Sequence, residues 1–145
     1  MVRFDNLTYD NAKQVAALEK ECFGKHAWSE NLFLDEIPQE NKHYIVAYDD
    51  DEVIAYGGFA QVLDEAHIMN IAVKNSYRKQ GYGSIILDKI ILKAKELNIS
   101  SITLEVRESN IPARNLYEKH TFELAGVRKG YYQDKENACI YWRVL

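Results

Sequence analysis

The stretch His67-Ile68-Met69-Asn70-Ile71-Ala72-Val73-Lys74-Asn75-Ser76-Tyr77-Arg78-Lys79-Gln80-Gly81-Tyr82-Gly83-Ser84, running on to Leu97, decides the fold. It opens with an apolar run (Ile68, Met69, Ile71, Ala72, Val73) that reads as a strand. A basic loop with two glycines follows, and a helical pattern starts at Ser84. A strand, a glycine-bearing loop and a helix N-terminus in that order make an anion site. The first helical amides lack intrahelical partners and point outward with the positive end of the macrodipole. Two other phosphate loops do not match. A Walker A loop needs Lys after its second Gly, and Ser84 stands there; a Rossmann fingerprint needs a third Gly where Ile86 stands. The residues alone leave two readings open, a phosphate site or a solvated turn.

Toward the C-terminus, Ile86, Ile90, Ala94 and Leu97 mark the core face of a helix ending near Asn98. Ser101–Val106 then alternates strictly, with Ile102, Leu104 and Val106 on one side and Thr103 and Glu105 on the other. A strand–helix–strand unit this short predicts a right-handed parallel crossover, which puts Glu105 on the strand beside 67–73. Ser109-Asn110-Ile111-Pro112 announces another helix, with Pro in its first turn and Ala113, Leu116 and Tyr117 on one face. Closing strands are expected at Thr121–Val127 and Cys139–Leu145, with Tyr131-Tyr132 between them.

Toward the N-terminus, Leu63-Asp64-Glu65 reads as a turn. Val53–Val62 and His43–Tyr48 read as a hairpin closed by Asp49-Asp50-Asp51-Glu52. Those four acids lack the spacing and glycine of a calcium loop and read as a solvated turn. Gly57 and Gly58 inside a strand predict a bulge or a close approach. Val2–Phe4 is a candidate first strand. Asp10–Phe23 reads as a helix with Asp10 as N-cap and Cys22 on the apolar stripe, ended by Gly24. A short helix starts at Ser29, stapled by Trp28 and Phe33 and stopped by Pro38, with the irregular segment Lys25-His26-Ala27-Trp28 before it. The expected architecture is α/β: a mixed, mostly antiparallel central sheet flanked by helices, with one parallel β-α-β crossover.

At 145 residues the chain is expected to be one domain, residues 1–145. A net charge of −4 argues against a general nucleic-acid binder, so the local Arg78-Lys79 pair stands out. Cys22 and Cys139 have no metal or disulfide spacing. No apolar run approaches the ~18 residues of a membrane span, and the N-terminus lacks a signal-peptide core. These features predict a cytoplasmic protein that uses no metal and contacts neither nucleic acid nor membrane directly.

Taken together, Asn70-Ile71-Ala72-Val73, the Arg-x-x-Gly-x-Gly of Arg78–Gly83, Leu104-Glu105-Val106-Arg107, Ser109-Asn110 and Leu116-Tyr117 resemble the GNAT acetyltransferases. The resemblance covers nearly the whole chain. Trp28-Ser29-Glu30, Asp64-Glu65-Ala66 and Tyr131-Tyr132 resemble the branch that acetylates the N-terminal alanine of a ribosomal protein, number eighteen of the small subunit. It implies a GNAT-like sheet and acetyl-CoA as co-substrate, with direct transfer to an α-amine through a tetrahedral intermediate. By the same resemblance, backbone donors of Ile71, Ala72 and Val73 serve the thioester. The amides from Arg78 through Lys79, Gln80, Gly81, Tyr82 and Gly83 to Ser84 hold the pyrophosphate, and Asn110 meets the pantetheine arm. Glu105 matches the general base, Tyr117 the acid that protonates the departing thiolate, and Trp28, Tyr131 and Tyr132 the acceptor contacts.

This chemistry suits the groups. An α-amine of pKa ~7.7–8.0 needs only modest base assistance, and a phenol of pKa ~10 can serve a thiolate. The chain departs from the branch at Thr121, where Gly is usual, at Asn137, where an acid is usual, and at Lys25-His26-Ala27. Two other functions stay open: acetylation of a small amine or lysine side chain, and acyl-CoA sensing without turnover.

Overall fold

The computed structural model describes residues 1–145. In chain order the elements are β1 (Val2–Asp5), α1 (Ala12–Phe23), α2 (Glu30–Glu36), β2 (Lys42–Asp49), β3 (Glu52–Val62), β4 (Glu65–Val73), α3 (Tyr82–Glu96), β5 (Ser101–Arg107), α4 (Ile111–Lys119), β6 (Glu123–Arg128) and β7 (Ala138–Val144). Single 3₁₀ turns at Gly24–His26 and Asn75–Tyr77 lead out of α1 and β4. All seven strands form one sheet in the order β1-β2-β3-β4-β5-β7-β6. Every neighbouring pair is antiparallel except β4–β5, the expected crossover around α3. No helix is long and apolar enough to cross a membrane.

The alternating side chains of the sheet feed two cores. On one face Ile86, Leu87, Ile90, Ile91 and Ala94 of α3 pack on Ile54, Ile68, Ile102 and Leu104, and Tyr117 of α4 joins them. On the other face Val15 and Leu18 of α1 and Phe33 of α2 pack on Val46, Tyr56 and Ala72. Gly57 and Gly58 make both contacts possible. A Cβ on Gly57 would lie 2.5 Å from Ile86 Cγ2, and one on Gly58 would lie 2.4 Å from the Tyr44 ring. The bulge expected there exists: register shifts between Gly58 and Phe59, so that Gly58 faces Asn70, Phe59 faces Ile68, and Met69 is the extra residue of β4.

Several boundaries differ from the sequence reading. α1 starts at Ala12 rather than Asp10, because Thr8 and Asn11 close a turn first. The Thr8 amide donates to Asn11 Oδ1 (2.8 Å) and the Asn11 amide to Thr8 Oγ1 (3.2 Å). The strand expected from Thr121 starts at Glu123, because Thr121 sits at φ +64° and turns the chain out of α4. A β-branched residue in the left-handed region is costly, by roughly 1–2 kcal/mol. Glycine removes that cost and returns part of it through unfolded-state entropy. Thr121→Gly is therefore expected to stabilise the fold by about 0.5–1 kcal/mol, read as a Tm rise of about 2–3 °C in a thermal melt; an unchanged or lowered Tm would contradict the strain.

Candidate active site

The site begins where β4 and β5 part. Their parallel ladder holds for three residue pairs, Glu65–Ser101, Ala66–Ile102 and His67–Thr103, and then ends. Beyond it the β5-facing edge of β4 has no strand partner. Backbone parity says which groups are exposed there. The Lys74 amide donates to Ile54 O (2.8 Å), so 54/74, 56/72 and 58/70 are the hydrogen-bonded pairs with β3. The amides of Ile71 and Val73 accordingly point into the gap, while that of Ala72 is used by the ladder and its methyl is buried.

At the end of β4 the basic loop turns into α3. The amides of Lys79, Gln80, Gly81, Tyr82, Gly83 and Ser84 donate to no acceptor in the protein; the first helical bond is Ile85 N–H to Gly81 O (3.0 Å). Lys79 (φ +63°) and Gly81 (φ +88°) are left-handed, and alternating handedness turns successive amides toward one side. Six free N–H groups at a helix N-terminus fit a pyrophosphate. Arg78 does not reach forward over them. Its Nε donates to Val73 O (3.2 Å) and its guanidinium lies 3.6 Å from the half-buried Cys22 Sγ, so this side chain braces the strand end. Ser84 Oγ is 3.2 Å from His120 Nε2, which ties the loop to the end of α4.

Two cavities meet in the gap. One, about 330 Å³, is walled by Ile71 of β4, Leu104 and Val106 of β5, and Asn110, Ala113 and Tyr117. The other, about 490 Å³, is walled by Trp28, Ala60, His67, Tyr131 and its neighbours. Ile68, Met69, Asn70, Glu105 and Tyr132 line both. Glu105 is the one carboxylate in either wall, and it stands at the junction. Tyr131 Oη donates to Glu105 Oε2 (3.4 Å); His67 Nε2 lies 3.6 Å from the same oxygen and Arg128 3.9 Å from Oε1.

Tyr117 is almost wholly buried, its ring edge-on to Phe122 at 5.8 Å. Burial pushes its phenol well above the ordinary value, and no hydrogen bond within the protein engages its hydroxyl. Asn110 caps α4, its Oδ1 accepting from the Ala113 amide (3.3 Å). Tyr131 and Tyr132 sit in the β6–β7 connection. Arg107 anchors that segment by pairing with Asp134 and Glu136, both at 2.9 Å, and by stacking 4.0 Å over the Tyr132 ring. Trp28 lines the larger cavity from the connection between α1 and α2, its ring 5.5 Å from Phe33.

The sequence reading missed two contributors. His67 shares a sheet face with Glu105, which the parity of the two strands already implied. Glu19 lies on the apolar stripe of α1, four residues after Val15, and a charge on a buried stripe was the available signal. No group of three or more His, Cys, Asp or Glu side chains is placed to hold a metal ion.

The sequence model described as the acetyltransferase (GNAT) family matches residues 12–122. A Bacillus subtilis protein provisionally named [ribosomal protein bS18]-alanine N-acetyltransferase is 34% identical over 139 residues, covering 94% of this chain and 91% of that protein. The [ribosomal protein bS18]-alanine N-acetyltransferase of Haemophilus influenzae is 40% identical over 96 residues, 63% of this chain and 65% of its own. The crystal structure of the ribosomal-protein-S18-alanine N-acetyltransferase from Escherichia coli superposes with a TM-score of 0.90 at 29% identity, over 99% of this chain and 94% of that one.

Proposed function

The chain belongs to the GNAT acetyltransferase family and is an acyltransferase; from that premise we propose that it acetylates the N-terminal α-amine of a protein. The acceptor that its relatives are named for, the alanine of ribosomal protein bS18, is the acceptor proposed here. Acetyl-CoA, when bound, supplies an activated thioester. The six free amides from Lys79 to Ser84 take its pyrophosphate, with Arg78 bracing the strand that leads to them. Asn110 borders the path of the pantetheine arm.

The amides of Ile71 and Val73 face the gap and can donate to the thioester oxygen as negative charge builds on it. Fixed donors in a water-poor cleft are among the strongest contributors to acyl transfer. Glu105 takes the proton of the incoming amine, directly or through one water, and Tyr117 Oη gives a proton to the departing sulfur. Trp28, Tyr131 and Tyr132 bound the cavity on the acceptor side.

One observation carries this reading: the cleft made by the parting of β4 and β5 joins a cavity of about 330 Å³ to a second of about 490 Å³, with the single carboxylate at their junction. The test is incubation with acetyl-CoA and three acceptors, read by mass spectrometry. These are a bS18 N-terminal peptide, the same peptide blocked at its N-terminus and carrying an internal lysine, and a small primary amine. One acetyl group on the α-amine of the first, and none on the others, is the expected result. Turnover of the lysine peptide or the small amine alone would overturn the protein-N-terminus assignment and keep the reaction class.

A further inference from the structure

Glu19 is completely buried and forms no ion pair. An uncompensated carboxylate in an apolar core is costly, and an aliphatic side chain at this place on α1 would pack with Val15 and Leu18 at no such cost. What Glu19 does instead is accept from three donors on three different segments. Oε1 accepts from the Tyr56 hydroxyl of β3 and from Asn70 Nδ2 of β4 (3.4 Å); Oε2 accepts from the Trp28 amide (2.9 Å). Two of these donors, Trp28 and Asn70, belong to residues that line the acceptor-side cavity.

The bond to Asn70 has a consequence for that cavity. In that bond the Asn70 NH₂ is the donor, which leaves Oδ1 as the atom free to face the cleft. Asn70 Oδ1 receives no hydrogen bond from the protein and is not sealed from solvent. The bulge at Met69 brings Asn70 into line with the acceptor-side face, and Asn70 lines both cavities together with Glu105.

We propose that Asn70 Oδ1 accepts an N–H of the first residue of the acceptor polypeptide, and that Glu19 is the positioning residue that fixes Asn70 in that orientation. The proposal rests on the protein-N-terminus reading above. It adds a hydrogen-bond acceptor on β4 to the cavity that Tyr131 lines from the β6–β7 connection, so that two elements hold the incoming amine as it meets Glu105. An N–H donor on the acceptor is thereby recognised, and an acceptor without one at that place is disfavoured.

The test uses steady-state kinetics on the bS18 N-terminal peptide with acetyl-CoA affinity measured separately by calorimetry. Asn70→Leu keeps the branched shape of the side chain without its polar atoms and is expected to raise the KM for the peptide about tenfold, with the Kd for acetyl-CoA within about twofold of wild type. Glu19→Gln can present its own NH₂ and force Asn70 to turn over; the same rise in KM is expected. Because both act through one bond, the double variant is expected to be no worse than Asn70→Leu alone. Tyr56→Phe removes a donor outside the cavity and is expected to leave the KM unchanged.

An unchanged KM in Asn70→Leu overturns the proposal, and so do multiplicative effects in the double variant. A KM rise in Tyr56→Phe matching that of Glu19→Gln would reduce Glu19 to a general packing role. Should Glu19→Gln fail to fold, Asn70→Leu and Tyr56→Phe decide the matter. Absence of α-amine acetylation by the wild type is a different result and overturns the parent reading.

Discussion

Glu105→Gln is expected to lower kcat on an N-terminal peptide by about a hundredfold or more while leaving the Kd for acetyl-CoA unchanged. The substitution keeps the shape of the side chain and an oxygen for the Tyr131 hydroxyl, which Glu105 now accepts at 3.4 Å. What it removes is the only carboxylate in either cavity wall. The His67 imidazole, 3.6 Å from Glu105 Oε2, stays in the wall as an alternative base, and its presence sets a floor under the loss. The defect should also depend on pH in a definite direction. Below the α-amine pKa of ~7.7–8.0 most of the acceptor is protonated and needs the base; above it the amine arrives neutral. The gap between wild type and variant is therefore expected to narrow as pH rises from about 7 to about 9. A kcat within threefold of wild type at pH 7 would remove Glu105 from the role of base and pass it to His67.

Much of this arrangement is legible in the sequence. The crossover strands, the loop from Arg78 to Gly83 and the face of Glu105 all follow from local rules, periodicity of two or 3.6 and glycine at special positions. Sequence could not give the place where β4 and β5 separate. That depends on Met69 being an extra residue opposite Gly58 and Phe59, a property of the paired strands rather than of either one. For the same reason Ile71, Ala72 and Val73 look equivalent in the sequence, whereas register turns only the first and third amides into the gap. The Arg78 side chain stands out by its charge beside the amides of the loop, and its observed bond to Val73 O reflects a competition among nearby acceptors that no motif encodes. Thr121 is the converse case. Its departure from glycine was visible, and the positive φ that makes it matter needed the fold.

Tyr117→Phe carries the second large effect, an expected fall in kcat of about a hundredfold with no loss of stability. The stability half follows from packing. The ring is held by Phe122 and Tyr141 at 5.8 and 6.2 Å, contacts that phenylalanine keeps. The hydroxyl engages no protein partner, so its removal leaves no orphaned group. The kinetic half follows from where that hydroxyl sits. Burial raises the phenol, which therefore holds its proton throughout the neutral range. Taken alone this makes Tyr117 a weaker acid than a phenol in water. In the proposed role its partner would be under the same pressure, because a thiolate departing into the same cavity would be desolvated too and its affinity for a proton would rise with it. In the proposed role the two shifts would run in the same direction, so that burial alone would not set the proton transfer against Tyr117. A Tyr117→Phe variant with unchanged Tm, unchanged acetyl-CoA affinity and a hundredfold lower kcat fits only a proton carried by Oη. Unchanged kcat would mean that water protonates the sulfur and that Tyr117 serves as a wall of the channel. Comparison of thermal melts, calorimetry and single-turnover rates on the same preparation separates these outcomes.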